Sequence, residues 1–530
     1  MLLRRQRSSG LPTAEIQPKQ SKRESGGERN AYLTVFLSLS LPVILSLFFV
    51  LLEGARIGAI QMEIEVVTDT AADSVLAEFH KELFDQYDLL MIDTSYGTSS
   101  PSVSNTEEHL QTYMEKNFTT SGSLLSSDWD FTGLSVTSVS IGSTRFAADN
   151  GAEALREQIY AYYSAEPVGA VVAEILEQVD TFNGLSLDTS EWSSLKSSNE
   201  SALKEGVSSA LAEAAEEDST EEESETEAEE NTAAAEAQSY VESQGVSVSS
   251  AINIYSTLDS LMSAPILTQV FGSTASLSQA TTDTSQLISG RSIHTGDGAE
   301  AENSHDYAEA DTIVFDLYAF EKCGSYVNQL DKSAMKYQLE YLLYGKSSDI
   351  SNLEKTAETI LLIRLAANLI TIMQDSEKIQ QAELWGTLLA TICFAQEQLK
   401  PLFTAAVLLI WTYMESLVDV RALLKGDSVP LVKSSSEWTT GLTSIFTGTT
   451  SSVSSGSGLD YEAYLHILLF LEDGTTKNYR LMDLMEMDIR ETDGNENFKM
   501  DWCMDTFTVD AVVSSAYGYS YTISREASYE

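Results

Sequence analysis

The chain has 530 residues, with 80 Asp and Glu against 31 Lys and Arg and a formal net charge of −49. Beyond a basic N-terminal leader that balance leaves no basic patch, which argues against nucleic-acid recognition through phosphate neutralisation. Hydrophobic residues at 43% and aromatics at 9% are ample for real cores, so the chain is not a disordered polyelectrolyte.

Residues 1–31 are polar and basic (Arg4, Arg5, Arg7, Lys19, Lys22, Arg23, Arg29) and read as a disordered cytoplasmic leader. Residues 32–56 read as a transmembrane anchor. Tyr32 to Leu52 is an uncharged apolar run closed by Glu53-Gly54-Ala55-Arg56. As a helix rising ~1.5 Å per residue it covers about 30 Å of hydrocarbon. It is longer than the ~7–15 residues of a secretory h-region and has no A-x-A cleavage site, so it is expected to be retained. Pro42 is tolerable in such a helix and is expected to kink it, and Arg56 can snorkel to the outer interface. The positive-inside bias puts the leader in the cytoplasm and the bulk of the chain outside the cell membrane.

Region 57–200 is expected to be α+β. A stalk helix from Ile57 to Phe84 carries the apolar stripe Ile60, Ile64, Val67, Ala71, Val75, Phe79 and Leu83. Its steps of three and four suit a core face or packing against another subunit's helix. A short strand is expected at Leu89–Ile92, a helix at Thr106–Met114 and a half-buried strand at Phe131–Ile141. Asp149 or Asn150 is expected to cap a helix through Leu155 and Ile159. Region 201–250 is an acidic low-complexity insertion centred on EEDSTEEESETEAEEN, either disordered or a solvated helix. Region 251–435 turns mainly helical. Leu353–Met373 is apolar almost all round, which implies burial, and Arg364 within it needs a carboxylate or carbonyls. Leu402–Met414 is too short for a bilayer and reads as a core helix, leaving one span. Region 436–530 holds a flexible Ser/Thr/Gly loop to Gly458, a helix capped by Asp460, and a turn at Asp493–Asn497. Two or three antiparallel strands are expected between Phe498 and Tyr529. The fold class is therefore α+β: a single N-terminal transmembrane helix extending into a stalk, then an ectodomain with a helical middle and a β-rich tail.

No chemistry-bearing constellation stands out. The three cysteines, Cys323, Cys393 and Cys503, lack CxxC spacing and a neighbouring His. Cys393 reads as a buried thiol, whereas Cys323 and Cys503 could pair in an oxidising compartment. His80, His109, His294, His305 and His466 fall in no ligand spacing. His294 and His305 bracket an acidic loop (Asp297, Glu300, Glu302, Asp306) that reads as exposed and polar. Three Ser-x-x-Lys tetrads (Ser193/Lys196, Ser201/Lys204, Ser333/Lys336) lack the companion motifs of a serine acylase. A carboxylate pair cannot be picked out of 80 acidic residues. No catalytic, cofactor-binding or metal-binding residue is assigned, and no cofactor is expected.

The leader, the apolar run with its internal Leu41-Pro42, and the exit Glu53-Gly54-Ala55-Arg56 together resemble the anchor of TadE/TadG-like proteins of the Flp (tight-adherence) pilus system. The whole chain resembles an uncharacterised family of membrane-anchored proteins from Gram-positive anaerobes. That likeness is carried by KYQLEYLLYGKSSDISNLEKTAETILLIRLAANL (Lys336–Leu369), ESLVDVRALLKGDSVPLVK (Glu415–Lys433) and LDYEAYLHILLFLEDGTTKNYRLMDLMEMDIR (Leu459–Arg490). The pattern departs from a processed pseudopilin. Tyr32 stands five positions after Gly27, and Phe36 stands at the matching distance from Pro42, where a glutamate belongs. The resemblance implies a non-enzymatic surface protein, a pilin-like or assembly component of a Tad-type pilus or secretion system. Its partners would be the lipid bilayer and pilin-like or pilus-assembly proteins met through the stalk helix. A membrane-tethered wall-active hydrolase and an adhesin or sensor ectodomain are the alternatives.

Overall fold

The structure is a computed structural model that describes residues 27–120, 131–164, 168–185, 187–217, 225–249, 253–297, 309–393, 397–442 and 458–529. Its longest element is the 50-residue helix α1 (Gly27–Leu76), which runs through Pro42 without ending there. Between Tyr32 and Leu51 its large side chains are bare, with Phe36 66% and Leu39 68% exposed. From Ile60 onward the same helix buries one face: Ile60, Ile64, Val67, Ala71, Ala72 and Val75. The change follows composition, because the first half has no polar face to turn outward and the second half alternates apolar and acidic sides. The stalk does not continue to Phe84 in one piece. It stops at Leu76, and a separate helix α2 (Lys81–Tyr87) begins where His80 Nδ1 accepts the Leu83 amide at 3.2 Å.

The buried face of α1 packs on α3 (Val103–Thr120) and on a four-stranded antiparallel sheet. The sheet joins β1 (Ile92–Asp93) and β2 (Leu134–Phe146) to the tail strands β3 (Cys503–Ser515) and β4 (Ser520–Ser528). Central β3 pairs with β2 from Leu134↔Ser515 to Phe146↔Met504, with β4 from Ser514↔Ser520 to Thr506↔Ser528, and with β1 at Ile92↔Met504. Phe507, Val509, Ala511 and Val513 alternate inward along β3, as a period-two strand with one covered face must. The two ends of the chain thus build one small α/β module.

A larger helical body holds the rest. It comprises α4 (Glu153–Ser164), α5 (Gly169–Gly184), α6 (Glu191–Glu217), α7 (Glu225–Ser243), α8 (Ile254–Met262) and α9 (Ile266–Phe271). It continues with α10 (Glu309–Lys322), α11 (Gln338–Tyr344), α12 (Asp349–Gln374), α13 (Ser376–Ile392), α14 (Lys400–Leu423), α15 (Tyr461–Leu471) and α16 (Gly474–Arg490). Asp149 caps no helix. Its carboxylate accepts the Phe146 and Gly296 amides, and Asn150 and Ala152 take left-handed backbone before α4 starts. Asp460 does cap α15, accepting the Ala463 amide at 2.8 Å. The flanks of the acidic insertion are helical, and Ala234, Ala237 and Val241 of α7 are buried. Its most charged centre, 218–224, and the Ser/Thr/Gly tract 443–457 lie outside the described residues. Asp493–Asn497 forms a turn, joining α16 to β3 rather than two strands.

By length and composition α12 and α14 could cross a membrane as well as α1. Unlike the bare half of α1, they are the centre of the body and carry buried charge. Arg364 donates to Asp419 at 3.0 Å, to the Pro430 and Leu431 carbonyls, and to Tyr464; Lys433 pairs with both Asp419 and Glu415. Arg364, Glu415 and Asp419 are fully buried, an arrangement that holds only when every charge is matched.

Candidate functional site

Two places carry polar groups that the packing alone does not require. The first is where α1 leaves its bare segment. Glu53 and Arg56 form an ion pair at 2.7 Å. The Arg56 guanidinium also lies 3.7 Å from the centre of the Tyr517 ring and 5.2 Å from that of Phe131. Tyr519 donates its hydroxyl to Glu53 at 2.5 Å. Both tyrosines come from the β3–β4 turn, which Gly518 closes at φ +87°, a conformation that favours glycine. Beyond the turn, β4 follows α1. Arg525 reaches Glu65 at 3.5 Å and Asp69 at 3.4 Å, and Tyr529 donates to the Leu76 carbonyl at 2.5 Å. Of the anchor residues expected to matter, Glu53 and Arg56 meet here. Gly54 has open space where a side chain would go, and Pro42 lies in the bare segment.

The stripe expected to meet partner helices is occupied by the chain itself. Ile60, Ile64, Val67, Ala71 and Val75 belong to the core of the α/β module, whereas Leu83 belongs to the helical body. Phe79 is half-buried after the end of α1 and packs edge-on to Phe84. The physical reason is the sheet: its covered face has no other layer, so α1 and α3 supply it.

The second place is a cleft of about 630 Å³, lined in part by β2, β3, β4 and α4. Arg145 dominates it, holding Asp505 with two bonds of 3.1 and 2.6 Å and Glu157 with one of 2.9 Å. Hydrogen bonding to Asp505 raises the Arg145 pKa further. Burial pushes the Asp149 carboxyl up, against the two amides it accepts. Asp505 and Glu157 thus face the same guanidinium. Asn150 and Thr506 line the cleft, and their Oδ1 and Oγ1 atoms are buried with no hydrogen-bond partner among the described residues. The arrangement is suited to holding a ligand. Local sequence gave no sign of it, because Arg145 and Asp505 are 360 residues apart.

Among the described residues no group of three or more His, Cys, Asp or Glu could hold a metal. His294 stacks on Trp502 at 3.5 Å; most of its acidic loop, with Glu300, Glu302, His305 and Asp306, lies at 298–308 outside the described residues. His80 caps α2, His109 contacts Glu78, and His466 stacks on Phe320 with burial lowering it to about 4. No Ser-x-x-Lys tetrad forms a dyad. Lys196 and Lys204 pair with Glu200, and Lys336 donates to the Leu330 and Asp331 carbonyls. All three cysteines are buried and free, so Cys323 and Cys503 do not pair.

The model of a family of unknown function, DUF5702, matches residues 244–515, just over half of the chain. No curated protein and no solved structure matches it.

Proposed function

The chain belongs to the DUF5702 family of unknown function, and from its own architecture we propose a non-enzymatic, single-pass, membrane-anchored surface protein. Its leader is cytoplasmic and both folded units are extracytoplasmic. The observation that carries this is α1: one uninterrupted helix, bare and apolar over Tyr32–Leu51 and embedded in the α/β module from Ile60. The other two long apolar helices are committed to a core with buried ion pairs. The likeness of the anchor to TadE/TadG-like proteins supports a role as an assembly or pilin-like component of a Tad-type pilus or secretion apparatus. With the stripe covered, the surface left for partner helices is the bare half of α1, where apolar helices associate by close packing.

The test has two readouts on one membrane preparation. A membrane-impermeant thiol reagent should label Leu471→Cys and not Ser9→Cys in intact cells, and the reverse would overturn the topology. Cross-linking followed by mass spectrometry should recover small single-helix subunits bound through residues 32–51. Recovery of the chain alone would remove the pilus assignment.

The cleft favours a second reading, an adhesin or sensor ectodomain. Its carboxylates outnumber Arg145, which suits a cationic ligand. A diamine that raises the Tm of the wild type but not of Thr506→Val is the expected sign. A tethered hydrolase gains no support from carboxylates already held by Arg145.

A further inference from the structure

We propose that the β3–β4 turn, with Tyr517 and Tyr519, and the adjoining segment Phe131–Gly133 form a foot that rests in the headgroup layer of the bilayer. The inference rests on the reading of α1 as a membrane anchor and concerns how the ectodomain sits on it.

Three observations place the foot there. The first is height. The apolar run ends at Leu52, and the foot touches α1 at Glu53 and Arg56, within one turn of that boundary. The second is direction. Strand β4 is tied to α1 at Glu53, Glu65, Asp69 and Leu76 by Tyr519, Arg525 and Tyr529. From Glu53 to Leu76 the helix rises about 34 Å at ~1.5 Å per residue. From Tyr519 to Tyr529 the strand covers about 33 Å at ~3.3 Å per residue. The two therefore run side by side, and the turn that begins β4 points at the membrane. Strand β2 starts at the same end, with Leu134 opposite Ser515 and the Gly133 carbonyl accepting the Ala516 amide.

The third observation is chemistry. In a chain of net charge −49, no charged residue occurs from Phe131 to Thr144 or from Ala511 to Ser524. The ends of β2, β3 and β4 at the turn lie within these two stretches. An acidic surface would be repelled by anionic lipid, and a neutral, Ser-rich, tyrosine-bearing tip is not. Tyr517 is 39% exposed at the tip, and tyrosine favours the interface, its ring toward hydrocarbon and its hydroxyl toward water. Arg56 is held beneath it by Glu53 and the ring stack, so its charge is matched at the headgroup level. The foot is continuous with the bare half of α1, and the bilayer is its occupant.

The test uses the full chain in nanodiscs of phosphatidylcholine and phosphatidylglycerol. The native thiols are buried, so a nitroxide can be attached selectively to Phe48→Cys, Ala516→Cys, Tyr517→Cys or Leu471→Cys. Ala516→Cys keeps the Arg56–Tyr517 stack intact. Collision with a water-soluble nickel chelate is expected to fall several-fold at 516 and 517 relative to 471, with oxygen collision intermediate between 471 and 48. If 516 and 517 match 471 while 48 is oxygen-rich and nickel-poor, the foot is overturned and the anchor stands. If 48 is also open to nickel, the anchor reading fails and takes the foot with it.

Discussion

Arg364 shows how the body tolerates charge. Its guanidinium is shared among Asp419, two carbonyls, Tyr464 and Asn368, while Lys433 neutralises the remaining oxygen of Asp419 and reaches Glu415. Removing one member leaves its partner buried and unmatched. Arg364→Ala is therefore expected to cost about 3–5 kcal/mol, read from the urea midpoint at constant m. Glu340 tests the opposite situation, a carboxyl with no cationic partner among the described residues. It accepts the Tyr461 hydroxyl at 2.6 Å and the Tyr326 amide at 2.8 Å, and burial pushes it up to about 7. Because the folded pKa exceeds the unfolded one, the folded state binds the extra proton. Stability is then fully present below about pH 4.5 and is lost as pH rises through about 7. The shift is worth roughly 3 kcal/mol. Glu340→Gln should flatten the stability profile by that amount between pH 4.5 and 7.5. An unchanged profile would show that the carboxyl titrates normally. Asp483, raised by burial to about 6, adds the same sign, so some slope will remain in the variant.

At the scale of elements, α1 decides what could be read in advance. Its apolar run, the buried character of α12 and α14, and the cap at Asp460 were legible because each signal lies within a few residues. The three segments that carry the whole-chain resemblance lie in α11–α12, the end of α14 with its following loop, and α15–α16, all in the helical body. The stripe was legible as a stripe, but its occupant was not. The covering sheet is assembled from β1 and β2 near one end of the chain and β3 and β4 at the other, a pairing that no local pattern encodes. The collar of Arg56, Tyr517 and Tyr519 was hidden for the same reason. Ile64 and Val67 now give opposite predictions for the two uses of the stripe. As core residues, Ile64→Ala should destabilise the module by about 2–5 kcal/mol, and Ile64→Glu with Val67→Glu should prevent its folding. A stripe meant for partners would leave folding and surface delivery intact while weakening association. Limited proteolysis of the membrane-bound variants distinguishes them.

For the molecule as a whole, the central question is whether the α/β module and the helical body unfold as one. Their seam carries buried ion pairs beside apolar contacts at Phe498 and Met500. Arg291, from the segment after α9, bonds Glu486 of α16 at 2.5 Å and Asp501 just before β3 at 2.5 Å. Asp501 in turn accepts the His294 amide, and Glu486 accepts that of Met500. All three cysteines are buried in the body's core, Cys503 at its edge, where β3 begins and pairs with β1, and Cys323 and Cys393 away from the sheet. Burial pushes all three thiols up, Cys393 to about 11, so none reacts while its surroundings hold. In the wild type, pulse labelling with maleimide across a urea series should modify all three at one midpoint. Arg291→Ala leaves Glu486 with Arg490 and the Met500 amide and removes the Arg291 cation from Asp501, which weakens the seam without removing an apolar side chain. Cys503 should then label at a lower urea concentration than Cys323 and Cys393. If the three still move together, the seam is held by apolar packing rather than by Arg291. In that case the module and the body form a single cooperative unit mounted on one helix.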